Sequence, residues 1–178
     1  MAARSTSSKI SLVLGVDPGK YDTGWALYLR GKGLQSSGVI EGLDSADAYT
    51  ITQCRIRLAR LLKLYRPEAV AIERYHAQPR GAKTTLETQN LQIGMLIEMC
   101  IRKKIPWHLI TPSTHKRWLS ANYEVGVAVV KGRRRSKTIK KVYDIRTYEE
   151  WRSLRTEHEV DAANVAKYCL CKLYPPTT

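Results

Sequence analysis

The stretch Ile10-Ser11-Leu12-Val13-Leu14-Gly15-Val16-Asp17-Pro18-Gly19 decides the fold. A short apolar run that stops at Asp-Pro-Gly reads as a central strand closed by a turn, because proline and glycine mark places where an extended chain must bend. Working outward, Thr23 to Leu29 reads as a second strand. Leu34 to Ile40 is a weaker third, with Gly31, Gly33 and Gly42 marking the turns around it. The chain therefore opens as an antiparallel meander.

Beyond the meander the apolar period lengthens. From Ala48 to Tyr65, Ile51, Cys54, Leu58, Leu61, Leu62 and Tyr65 recur at helical spacing, and Pro67 stops the helix. Ala69 to Ile72 is a buried strand that ends in Glu73. Lys83 to Lys103 is a helix with two apolar stripes: Leu86, Ile93, Ile97 and Cys100, expected against the sheet, and Leu91, Met95 and Met99, expected against a partner subunit, with Gly94 allowing close approach. Trp107 to Ile110 is a short strand. Thr111-Pro112-Ser113 opens a brief helix carrying Lys116 and Trp118, and a last helix is expected from Glu157 to Tyr174 before Pro175-Pro176. This order predicts an α/β fold, a mixed sheet with helices on its faces, in one domain.

The chain has 178 residues, enough for one core and short for two domains. Lys and Arg number 30 against 16 Asp and Glu, a formal net charge of +14, while 43% of residues are apolar, too many for a disordered basic tail. No apolar run is long enough to cross a membrane, since Arg30, Arg55, Lys63 and Arg102 interrupt the candidates, and residues 1–9 lack the apolar core of a signal peptide. Cys54, Cys100, Cys169 and Cys171 form neither a C-x-x-C nor a zinc spacing with His, and read as reduced, buried thiols of a cytoplasmic protein. A globular chain this basic is expected to meet a polyanion, most often a nucleic acid.

Two acids stand at the ends of apolar strands: Asp17 after Leu-Val-Leu-Gly-Val, Glu73 after Ala-Val-Ala-Ile. A carboxylate there is costly to ionise without donors or a cation. In the last helix, Asp161 shares an apolar stripe with Ala162, Val165, Ala166, Cys169 and Leu173, and His158 lies three residues before it, on the same face. Taken singly, Asp17 could be a turn residue, Glu73 a salt-bridge partner of an arginine, Asp161 a helix cap and His158 a core or capping histidine. Taken together, the four predict an oxygen-rich cluster with one imidazole, suited to Mg²⁺ or Mn²⁺. In a basic chain the fitting substrate is a phosphodiester, attacked by water with two ions about 3.5–4 Å apart.

These residues carry a resemblance. Gly15-Val16-Asp17-Pro18-Gly19, followed by Thr23-Gly24, resembles the first motif of the RuvC family of Holliday-junction resolvases; Ala71-Ile72-Glu73 with Arg74-Tyr75 is similar to the second, and His158-Glu159-Val160-Asp161-Ala162-Ala163 to the last. The resemblance runs from residue 10 to 174 and departs from the family between Val142 and Glu157. It implies a ribonuclease H-like fold with a mixed five-stranded sheet flanked by helices. One nuclease domain is expected over residues 10–174, between a disordered basic tail at 1–9 and a short tail at 175–178. It implies a homodimer that nicks a four-way DNA junction symmetrically with two Mg²⁺ per active site, Mn²⁺ substituting, and leaves 5′-phosphate and 3′-hydroxyl ends.

On this resemblance Asp17 bridges the two ions, Glu73 and Asp161 complete the carboxylate set, and His158 binds or orients a ligand. Lys116 stands near the scissile phosphate, Lys137 falls in the second lysine's stretch, and Tyr75 or His76 supplies an aromatic wedge. Lys131 to Lys141 contains seven Lys or Arg in eleven residues and no acid, so Arg133, Arg134, Arg135, Lys137, Lys140 and Lys141 are expected to contact phosphates. The expected function is junction resolution in a bacterial or phage-infected cytoplasm. The alternatives are a nuclease of the same fold acting on flaps or RNA–DNA hybrids, and a non-catalytic nucleic-acid-binding module. An ATP-binding member of the wider fold would need phosphate loops and a second lobe for which the chain lacks room.

Overall fold

A computed structural model describes residues 10–19, 21–41, 48–74, 83–123, 125–131, 137–143 and 156–176. The opening meander is β1 (Leu12–Asp17), β2 (Thr23–Leu29) and β3 (Gly33–Ile40), followed by α1 (Ala48–Tyr65), β4 (Ala69–Glu73), α2 (Lys83–Lys103), β5 (Trp107–Ile110) and α3 (Pro112–Asn122). Then come β6 (Val125–Lys131), β7 (Lys137–Tyr143) and α4 (Glu157–Tyr168). The main sheet has five strands in the order β3-β2-β1-β4-β5. β1–β2 and β2–β3 are antiparallel, whereas β4 pairs parallel to β1 and β5 parallel to β4. Parallel neighbours need crossover connections, and α1 and α2 provide them.

Side chains alternate along a strand, so each residue's face follows from its place. From β1 and β4, Leu14, Val16, Val70 and Ile72 turn to one face, where they pack with Cys54, Leu58 and Leu62 of α1 and Ile93, Leu96 and Cys100 of α2. A fully buried aliphatic side chain contributes about 1.5–3 kcal/mol through its burial. Val13, Ala69 and Ala71 turn to the other face, against Ala162, Val165 and Ala166 of α4. The residues there are small. A Cβ on Gly15 would stand 2.0 Å from the carbonyl oxygen of Ala162, and one on Gly24 would stand 2.2 Å from that of His158. Glycine at these two positions lets α4 lie almost on the sheet backbone.

Four features differ from the sequence expectation. The basic Lys131–Lys141 segment belongs to an antiparallel ribbon, β6–β7, with Lys131 opposite Lys137. Val125, Val127 and Val129 alternate ahead of Gly132, a strand signal that the run of arginines overshadows. On α2, the sheet-facing stripe is Gln89, Gln92, Ile93, Leu96, Met99 and Cys100; Met99 is buried rather than outward, and Ile97 is only half-buried. Leu96 sits at the centre of that contact, and Met99 follows it by three residues, which turns it inward. The last helix is α-helical only to Tyr168 and closes in a π-helical turn, Cys169–Leu173. Nor does it have a single apolar stripe: every residue from Glu159 to Tyr168 is buried, because α4 is enclosed by the sheet, α3 and β7. Even Lys167 is buried, its ammonium 4.2 Å from the ring centre of Tyr123.

Candidate metal centre

Asp17 follows Val13 and Gly15 on the α4 face of β1, and Glu73 follows Ala69 and Ala71 on the same face of β4. Val16 pairs with Ile72, so the next residue of each strand, Asp17 and Glu73, emerges side by side at the carboxyl ends of adjacent parallel strands. Asp161 comes from the second turn of α4. Carboxylate oxygens of Asp17, Glu73 and Asp161 lie within 4.8 Å of one another, with Glu73 and Asp161 buried.

The start of α4 is built to aim Asp161. Thr156 is the N-cap, its side chain accepting from the Glu159 backbone N–H, while the Glu159 carboxylate accepts from the Thr156 N–H. Ser37 donates to Glu159 Oε1 at 3.0 Å, fastening the cap to β3. Glu159 thus does the capping, and Asp161 points into the cluster.

His158 stands beside the three carboxylates rather than among them. Its Nδ1 lies 2.7 Å from Asp17 Oδ2. Burial works against its charged form, but the hydrogen bond to Asp17 and the charges of Asp17, Glu157 and Asp22 outweigh it and hold its pKa above the ordinary imidazole value. Lys116 of α3 brings Nζ to 2.9 Å from Asp161 Oδ1 and 3.8 Å from Glu73 Oε1. Burial lowers its pKa, but Asp161, Glu73 and Asp17 prevail and raise it. Burial, with the charges of Asp17 and Asp161, pushes the Glu73 carboxyl up to about 7 against the hydrogen bond from His115.

Sequence reasoning passed over the groups that hold these residues in place. His115 is fully buried, with Nε2 3.0 Å from Glu73 Oε1. Its position four residues before Leu119, on the inward face of α3, was the available signal. Gln89 of α2 donates to the Pro18 carbonyl at 2.8 Å, and Thr23 donates to Gln92 at 3.2 Å. These buried polar residues hold the loop after Asp17 in place.

Of the expected nucleic-acid contacts, Lys116 lies at the rim of the cluster, its side chain about a third exposed. Lys137, Lys140 and Lys141 fall on β7. Tyr75, His76, Arg133, Arg134 and Arg135 lie outside the described residues.

The donor set suits a hard divalent cation. Three carboxylates, two of them buried, cluster together beside the Lys116 ammonium, and the raised pKa of Glu73 reflects its burial first and the neighbouring carboxylates second.

Comparison with known proteins bears on the family and the fold. A family model described as crossover junction endodeoxyribonuclease RuvC matches residues 13–130, a span that includes Asp17, Glu73 and Lys116 and ends before α4. The RuvC of Corynebacterium glutamicum is 29% identical over 115 residues, 62% of this chain and 51% of that enzyme, so the chain spans about half the length of that relative. In three dimensions the chain resembles Thermus thermophilus RuvC in complex with a Holliday junction substrate, with TM-score 0.65 and 18% identity over 89% of this chain and 91% of that one. It also resembles the yeast mitochondrial Holliday junction resolvase, with TM-score 0.57 and 14% identity over 92% and 79%. The structural likeness establishes the fold, and the family match, covering most of the chain from the central strand through the lysine-bearing helix, establishes descent: the chain belongs to the RuvC family of crossover junction endodeoxyribonucleases.

Proposed function

We propose that residues 10–174 form one nuclease domain that resolves four-way DNA junctions by paired, metal-dependent nicks, each leaving a 5′-phosphate and a 3′-hydroxyl. The observation that carries this reading is the convergence of Asp17, Glu73 and Asp161 in a chain of net charge +14. An anionic pocket repels phosphate unless cations fill it, so a DNA-binding protein gains nothing from one except through metal chemistry. Asp17, Glu73 and Asp161 would hold two Mg²⁺ ions, or Mn²⁺ in their place. Bound there, such ions supply a water of lowered pKa and neutralise the leaving oxygen.

The remaining roles belong to the chain itself. His158 fixes the rotamer of Asp17 through Nδ1, and acts on the ions through that carboxylate. Lys116, charged and at the rim, neutralises the phosphate that enters the pocket. Lys137, Lys140 and Lys141 on β7, with Arg133, Arg134 and Arg135 before them in sequence, contact the DNA backbone; such contacts position the duplex and make binding salt-dependent. Tyr75 or His76, which follow Glu73 closely in sequence, serves as the wedge that holds the junction open. The outer face of α2 supplies the homodimer interface. Leu91 and Ile101 are 49% and 62% exposed there, with Met95 half-buried between them. A two-fold dimer would match the near two-fold symmetry of a four-way junction and present one site to each of two opposed strands.

The test is cleavage of a synthetic four-way junction beside a duplex, a flap and an RNA–DNA hybrid, with and without Mg²⁺. The proposal expects symmetric nicks on opposed junction strands that require the metal. Preference for the flap or hybrid would assign the chain to another nuclease activity of the same fold, and junction binding without cleavage would make it a binding module.

A further inference from the structure

The proposed metal centre rests on a buried histidine that neither the motif pattern nor the acid spacing assigns. The chain leaves β5 at Ile110, which pairs with Glu73 in the sheet. It turns at Thr111, the N-cap of α3, and Pro112 occupies the first turn. That turn brings His115 directly against Glu73, with the ring fully buried and Nε2 3.0 Å from Oε1. The carboxylate accepts, so Nε2 is the donor. Nδ1 meets no hydrogen-bond partner among the described residues.

A fully buried ring nitrogen without a partner destabilises the fold. A leucine at position 115 would fill the inward face of α3 without that cost, as Leu119 does one turn later. The imidazole is therefore explained by what Nε2 does, and not by packing. We propose that His115 is a positioning residue that sets the affinity of the centre for divalent cations by holding the Glu73 carboxylate in its binding rotamer. This rests on the metal-dependent reading of the site given above.

A glutamate at a strand end has three rotatable side-chain bonds, and fixing them before the ion arrives removes an ordering cost from the binding step. The ring is also held in place itself: it is fully buried on α3, so its N–H presents a fixed donor to the carboxylate. Lys116 touches the same oxygen at 3.8 Å, but it is a charged, partly exposed group. Partners of this kind, one step removed from the ion, typically change metal affinity about 10- to 100-fold when lost.

The experiment titrates Mn²⁺ into the full-length protein without DNA, reading free Mn²⁺ by electron paramagnetic resonance, for wild type, Asp161→Asn, His115→Leu, His115→Gln and His115→Asn. Melting temperature and junction binding in EDTA serve as further readouts. The expected result is an affinity about 10- to 100-fold weaker for His115→Leu, with melting and EDTA-phase junction binding at or above wild type. His115→Gln should recover most of the loss, because its amide nitrogen reaches the place of Nε2. His115→Asn, one bond shorter, should not. Wild-type Mn²⁺ affinity in His115→Leu would overturn the proposal and leave His115 a packing residue. Should that variant not fold, equal affinities for His115→Gln and His115→Asn would overturn it instead. Failure of the underlying reading looks different: wild type itself would bind no Mn²⁺, or Asp161→Asn would bind it as tightly as wild type.

Discussion

The two faces of the central sheet are packed on opposite principles. On the α1–α2 face the strands present Leu14, Val16, Val70 and Ile72 to Leu58, Leu62 and Leu96, large side chains meeting large side chains. On the α4 face they present Gly15, Ala69 and Ala71 to Ala162 and Ala166, and the helix backbone comes close enough that a Cβ on Gly15 would meet a carbonyl oxygen at 2.0 Å. The first arrangement buries area. The second buries less per residue but brings a helix within reach of the strand ends, which is what allows Asp161 and His158 to meet Asp17 and Glu73. Along β1 and β4 one face thus serves packing alone and the other also carries the chemistry, and the division runs residue by residue.

This contrast can be broken at several points. Asp17→Asn, on the α4 face at the end of β1, has the largest expected effect: junction cleavage falls by more than about 1000-fold as a metal ligand is lost. Folding and binding to the uncut junction in EDTA persist, measured by circular dichroism and gel shift. Next comes a pair of neighbours. Gly15→Ala forces α4 off the sheet and costs at least about 100-fold in cleavage through misplacement of Asp161. Leu14→Ala, one residue away on the other face, destabilises by about 2–5 kcal/mol yet leaves cleavage per folded molecule near wild type. If Leu14→Ala harms cleavage of the folded fraction as much as Gly15→Ala does, the division of labour is wrong.

A smaller effect concerns Glu73, whose carboxyl is raised from 4.5 to about 7 chiefly by burial. An acid with a raised folded-state pKa holds its proton more tightly folded than unfolded. It therefore leaves stability untouched at low pH, erodes it as pH climbs from 4.5 toward 7, and reaches its full cost above that. Glu73→Gln removes that cost, at most on the order of 3 kcal/mol. In EDTA the variant should melt above wild type at pH 8 and with it at pH 4. Equal melting at pH 8 would show that the buried charge costs nothing. The smallest effect on the centre itself comes from the outer face of α2: Leu91→Glu with Ile101→Glu should lower the sedimentation coefficient toward that of a monomer. Mn²⁺ affinity should not change, since both residues face away from the sheet.

Much of this division was legible in the sequence. The alternation that puts Asp17 and Glu73 at the ends of apolar strands is visible in Leu-Val-Leu-Gly-Val-Asp and Ala-Val-Ala-Ile-Glu, and the i, i+3 spacing places His158 and Asp161 on one face of their helix. What escaped depends on tertiary partners. His115 reads as any residue of a short helix until β5 brings its first turn against Glu73. Met99 looks outward on a helical wheel until Leu96 is seen to centre the contact. Glu159 and Thr156 form a capping box that a motif reading centred on Asp161 passes by. The β6–β7 ribbon was obscured by its own charge, because a dense run of Lys and Arg draws attention from the alternating valines ahead of it.

The most direct test of the central claim, that the α4 face assembles a divalent-cation site from three separate elements, is a crystal structure with Mn²⁺, using anomalous scattering to locate the ion. Anomalous density is expected among the oxygens of Asp17, Glu73 and Asp161, and is abolished in Asp161→Asn. Density elsewhere on the protein with none among these carboxylates, at a Mn²⁺ concentration that supports cleavage, would contradict it.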